Sequence, residues 1–151
     1  MTEDRIEREI NIAAPVERVW AALTEPAHVQ QWFSQGSPPG IDLREGGIMR
    51  LDHGEHGVFP TKIVKLDPPH YLAYRWASAY PGVEADEQNS TLVEFTLAPD
   101  GDGTRLRLVE SGFAGLGIPA DKLGNASYES HSAGWTAKVA ELRDYAERIA
   151  A

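Results

Sequence analysis

Two side chains have the type and position to handle protons, Glu110 and His131. Glu110 ends the alternation Leu106, Leu108, Glu110, which places its carboxyl on the same strand face as two leucines. A carboxyl facing an apolar interior must find donors or a cation, because an unpaired charge there is costly. So placed, it can orient a ligand or transfer a proton. The structural alternative is a strand-end acid that reaches solvent or pairs with an inward arginine such as Arg8. His131 precedes Trp135 by four residues, about one helical turn, so the two share a helix face. An imidazole lining a cavity can donate a hydrogen bond or act as a general base, whereas one at a core's edge only caps it.

The segment His53-Gly54-Glu55-His56 offers two imidazoles and a carboxylate, ligands that suit zinc or another transition metal. Its glycine implies a turn, in which convergence of the rings is not enforced, and a closed site needs a further ligand from elsewhere. The expectation is a polar hairpin tip and no metal. With no cysteine, the chain has no thiolate nucleophile and no thiolate-ligated metal. Gly46-Gly47 lacks the strand-to-helix setting of a phosphate loop, so no cofactor is expected. A Ser-His-acid triad is recognised by geometry and cannot be read from sequence proximity.

These groups must be positioned by regular elements. Ile6, Ile10 and Ile12 alternate with polar residues, giving a first strand on whose inward face Arg8 is the exception. Pro15 and the spacing of Val16, Val19, Trp20 and Leu23 predict a short helix. Thr24 is placed to cap a second helix, through Pro26, Val29, Trp32 and Phe33, that ends before Gly36. From Ile41 to Glu110 the pattern is of about six strands, with Pro60 expected at an edge or bulge. Gly112 to Gly124 reads as a mobile connection anchored by Phe113 and Leu116. Tyr128, Trp135, Val139 and Leu142 then mark one face of a final helix of about 23 residues, roughly 34 Å long. A single apolar stripe of that length is buried best against the apolar face of an antiparallel sheet, an α+β arrangement that leaves space where the sheet curls.

The chain has 151 residues, which fits one domain over 1–151 with a core that needs no staple. Fourteen basic against 23 acidic residues give a net charge of −9, a field that repels phosphate backbones, so nucleic acid is not an expected partner. Neither a signal-peptide pattern nor an apolar run of about 20 residues is present, and the expectation is a cytoplasmic protein without membrane insertion.

Several blocks resemble one family. Ile10-Asn11-Ile12-Ala13-Ala14-Pro15, Val19-Trp20, Ala22-Leu23-Thr24, Pro26 and Trp32-Phe33 look like its opening. Gly46-Gly47, Asp67-Pro68-Pro69 before Leu72 and Trp76, Leu106 to Phe113, and His131 to Trp135 follow in order. From about Arg8 to about Tyr145 the chain resembles the heat-shock-protein-ninety ATPase activator homologue family. That resemblance implies the helix-grip fold of the START-like superfamily: a curved antiparallel sheet wrapped around a long C-terminal helix over a hydrophobic cavity, with two short helices after the first strand. Relatives in that superfamily bind lipids, sterols, hormones or polyketides, and some are cyclases or aromatases, so fold alone does not give activity. The eukaryotic namesake stimulates a chaperone ATPase but carries a further N-terminal domain.

The chain's aromatic residues can either fill the interior or line a pocket, and aromatics at such spacing more often form plain core. The pocket expectation names Trp32, Tyr74, Trp76, Phe95, Leu108, Glu110, Phe113, Tyr128, His131, Trp135 and Val139. Three functions follow. The first is binding of a small apolar or amphipathic molecule, with the Gly112–Gly124 segment as a gate. The second is a surface that binds a chaperone or other protein. The third is a cyclase or hydrolase with Glu110 or His131 as acid or base.

Overall fold

Strand β1 (Arg5–Ile12) buries Ile6 and Ile12 and leaves its glutamates exposed, as the period-two pattern requires. The structure is a computed structural model that describes residues 4–33, 40–54, 57–113, 116 and 127–150. Helix α1 (Val16–Thr24) follows, then α2 (Pro26–Trp32). Glu25 separates them with extended backbone, φ −90° and ψ 127°, the conformation that a following proline imposes, so Pro26 ends one helix and starts the next. Thr24 does not cap α2. As the last residue of α1, its hydroxyl donates back to the Trp20 carbonyl at 2.8 Å, and Glu25 takes the cap position without a side-chain bond.

The remaining strands are β2 (Gly40–Ile41), β3 (Ile48–Asp52), β4 (Val58–Asp67), β5 (Tyr71–Trp76), β6 (Thr91–Asp100) and β7 (Gly103–Ser111). With β1 they form one antiparallel sheet in the order β1-β7-β6-β5-β4-β3-β2. Pro60 pairs only with Arg50 of β3, because β5 joins β4 from Lys62 onward, so the missing N–H disrupts no ladder on the far side.

Register aligns the side chains that matter. Ile63, Tyr74, Val93, Glu110 and Ile6 lie opposite one another across five strands, and Leu72, Phe95, Leu108 and Arg8 form the next such row. Helix α3 (Tyr128–Ala150) crosses this inner face and buries His131, Trp135, Val139, Leu142 and Ala146, a stripe at helical spacing. The result is the helix-grip arrangement. Among the described residues no helix is long and apolar enough to cross a membrane.

Candidate functional site

Glu110 lies on the inner face of β7 and is fully buried. Three donors converge on it. Thr91 Oγ1 donates to Oε2 at 2.5 Å, Trp135 Nε1 donates to Oε1 at 2.7 Å, and His131 Nδ1 lies 2.8 Å from both oxygens. The carboxyl group therefore acts as an acceptor toward all three, which assigns the His131 proton to Nδ1. Arg8 is not its partner. The guanidinium turns to α3, where Nη2 donates to Ser132 Oγ at 2.8 Å and to the Ser132 carbonyl at 3.0 Å. Arg8, set between Ile6 and Ile10 on its strand, thus faces inward, as the alternation requires, yet finds helix acceptors rather than the acid.

Tyr74 sits on the same row as Glu110 with Val93 between them. Complete burial, and then the nearby Glu110 charge, push its phenol well above the ordinary range. Its hydroxyl has no hydrogen-bond partner among the described residues.

Beside this cluster lies a partly open cavity of about 260 Å³ between α3, the end of α2 and the rims of β3, β4 and β5. Phe33, Phe59, Trp76 and Trp135 give it aromatic walls, and Ser78, Ser130 and Lys138 contribute polar groups. The rings pack against one another. Trp76 stacks on His131 with centroids 4.5 Å apart and planes 18° apart, and meets Phe59 edge-on at 5.9 Å. His53 fills the corner between Phe33, at 5.2 Å, and Phe59, at 5.6 Å. The volume is close to the lower end of small-molecule sites, roughly 300 Å³ and upward.

Of the expected pocket residues, Trp76, His131 and Trp135 line this cavity, and Glu110 supports the last two from beneath. Tyr74, Phe95, Leu108 and Val139 are buried in the core instead. Trp32 is buried with its indole N–H donating to the Ala22 carbonyl at 2.7 Å, and it stacks on Phe33. Phe113 and Tyr128 meet edge-to-face at 5.5 Å, and Phe113 also touches the His131 ring. Sequence reasoning missed Phe33, Phe59, Ser78, Ser130, Gly134 and Lys138 as wall residues, and placed His53 at a polar hairpin tip rather than in the cavity wall. Ser130, Gly134 and Lys138 recur every four residues, a signal available in the sequence, whereas Phe33 and Phe59 join the wall through tertiary packing.

Among the described residues no group of three or more His, Cys, Asp or Glu side chains is placed to hold a metal ion. Glu55 and His56 of the candidate metal segment lie outside those residues, as does most of the expected gate, 114–115 and 117–124.

The sequence matches the family model described as Activator of Hsp90 ATPase homolog 1-like protein over residues 13–147. Among solved structures it is similar to DynU16, a protein of the dynemicin biosynthetic locus, with 27% identity and a TM-score of 0.71 over 96% of this chain and 48% of that one. The chain therefore spans about half the length of DynU16. CalU16 from Micromonospora echinospora shares 26% identity with a TM-score of 0.66, over 94% of this chain and 75% of that one. MLL2253 from Mesorhizobium loti shares the fold, with 24% identity and a TM-score of 0.74 over 95% and 97% of the two chains. No curated protein is significantly similar in sequence. With a family model matched over nearly its whole length and the helix-grip fold around the cavity, the chain belongs to the Activator of Hsp90 ATPase homolog 1-like family.

Proposed function

We propose that this chain is a cytoplasmic small-molecule-binding domain that takes an apolar or amphipathic ligand into the cavity between α3 and the sheet. The observation that carries the reading is that cavity: aromatic rings from the residue capping α2, from β4, β5 and α3 wall about 260 Å³ of open space, with a few hydroxyl and imidazole groups among them. Concave, mostly apolar sites with sparse polar groups are the usual form of ligand pockets. DynU16, from a biosynthetic locus, fits a role close to small molecules. Native mass spectrometry of the purified protein tests the reading directly. A copurifying molecule that is lost when Phe33→Trp narrows the cavity supports it, and a fatty-acid or naphthalene probe that binds equally well to both forms counts against it.

A second reading rests on the Glu110–His131 pair, which sets a buried carboxylate against an imidazole on the cavity wall. Such a pair suits general acid–base chemistry on a bound ligand. Glu110→Gln must then abolish turnover while leaving fold and ligand affinity intact.

A further inference from the structure

We infer that the cavity takes a flat aromatic molecule rich in hydrogen-bond acceptors, lying along the Ser130–Gly134–Lys138 stripe of α3 with an anionic substituent at Lys138. The inference rests on the ligand-binding reading above and adds the ligand's chemistry. Its starting point is Gly134. A glycine in a helix interior lowers helix stability relative to alanine. Here neither packing nor backbone conformation explains it, because a Cβ at this position would meet nothing within 4 Å and its φ is not in the left-handed range. Gly134 nevertheless lines the cavity. What the missing side chain does is keep the helix wall flush, so that a ligand can lie against the backbone.

Ser130 and Lys138 stand one turn to either side, and the stripe runs about 12 Å along the helix at 1.5 Å per residue. The rings of Phe33, Phe59 and Trp76 line the same cavity. A cavity walled by a flush helix and aromatic rings favours a planar guest, because offset stacking and edge contacts favour flat π-systems.

The polar inventory gives the ligand's complement. The Trp76 indole N–H is buried and has no partner among the described residues, and it can only donate. Lys138 also only donates. Its Nζ is held by the Trp32 carbonyl at 3.2 Å and by Glu141 at 2.8 Å, which leaves one N–H by count. Ser78 and Ser130 adapt to either role. The nearby carboxylate, Glu110, is already bound by Thr91, His131 and Trp135 behind the wall. Two groups at the cavity, the Trp76 indole and the Lys138 ammonium, can therefore only donate, and carbonyl, carboxylate or sulfonate groups on the ligand would satisfy them.

Two probes with one ring skeleton test this: 1-anilinonaphthalene-8-sulfonate and its neutral counterpart N-phenyl-1-naphthylamine, titrated by fluorescence. The net charge of −9 works against anions in general, so a preference for the sulfonate must be local. The sulfonate should bind about tenfold more tightly, and Lys138→Met should erase that advantage without weakening the neutral probe. Gly134→Leu should weaken both by about tenfold or more without lowering the melting temperature. Equal affinity for both probes with no effect of Lys138→Met overturns the anionic assignment, while a loss of both in Gly134→Leu keeps cavity binding intact. Failure of both probes to bind, or indifference of both to Gly134→Leu, overturns the inference and the binding reading together.

Discussion

His131 Nδ1 lies 2.8 Å from both carboxylate oxygens of Glu110, joining the first turn of α3 to the inner face of β7 through a contact with both side chains buried. Trp135, one turn later, bonds to the same carboxylate, so a single acid fixes two cavity-wall residues of the helix. The price of removing it should be high. Glu110→Leu leaves three buried donors orphaned and should cost about 3–5 kcal/mol, whereas Glu110→Gln keeps an acceptor oxygen and should cost about 2 kcal/mol. Urea denaturation at neutral pH measures both, and midpoints within error of the parent would show that the cluster does not hold α3 in place.

Arg8 provides the control for that reading. Its guanidinium bonds to Ser132 and Thr136 at the partly exposed margin between β1 and α3. Arg8→Met should therefore cost less than about 1 kcal/mol, the range of exposed polar contacts. A loss as large as that of Glu110→Leu would mean that the arginine supports the buried acid after all.

Tyr74 predicts an alkaline weakness. Its phenol is raised in the folded state by burial and then by the Glu110 charge. Below about pH 10, the unfolded value, both states keep the proton and stability does not depend on this group. Above it the unfolded chain releases the proton first, the folded state binds more protons, and stability falls as pH rises toward the folded value, by up to about 1.4 kcal/mol per pH unit. Tyr71 adds to the same slope, raised by burial and by its bond to Glu94. Tyr74→Phe should therefore reduce but not abolish the alkaline loss. At pH 7 it should be neutral or stabilising by about 1 kcal/mol, because the hydroxyl has no partner to lose. Urea midpoints at pH 7 and 10.5 check both parts, and an undiminished slope would sink the assignment.

The elements were legible in the sequence because each rests on a local period. The stripe from Tyr128 gave a helix of the length seen in α3, and Leu106, Leu108 and Glu110 share the inner face of β7 as their alternation required. Residue pairings across the sheet were not legible, since period two tells which face a side chain takes but not which strand lies beside it. Hence Tyr74 was expected at the pocket but sits beneath it, one row into the core. His53 was expected at a polar hairpin tip, whereas its surroundings are the rings of Phe33, Phe59 and Trp76, brought together from the residue that caps α2, from β4 and from β5. Thr24 failed as a cap because the restriction that Pro26 places on Glu25 outweighs the cap preference of a threonine.

Two glycines should respond in opposite ways to the same methyl group. Gly134 sits inside α3 with open space where a Cβ would go, so Gly134→Ala gains helix propensity and meets no clash. It should stabilise the fold by about 1 kcal/mol and raise the melting temperature by about 2–4 °C for a chain of this size. Gly57 has φ +111°, and a Cβ there would come within 2.6 Å of Pro81 Cβ. Gly57→Ala must adopt a left-handed conformation and displace a rigid ring, and should cost at least about 1–2 kcal/mol. Thermal unfolding of the two variants beside the parent gives both signs in one experiment. A Gly134→Ala protein no more stable than the parent would mean that the glycine already serves the fold, and would remove the reason to seek its purpose in the cavity.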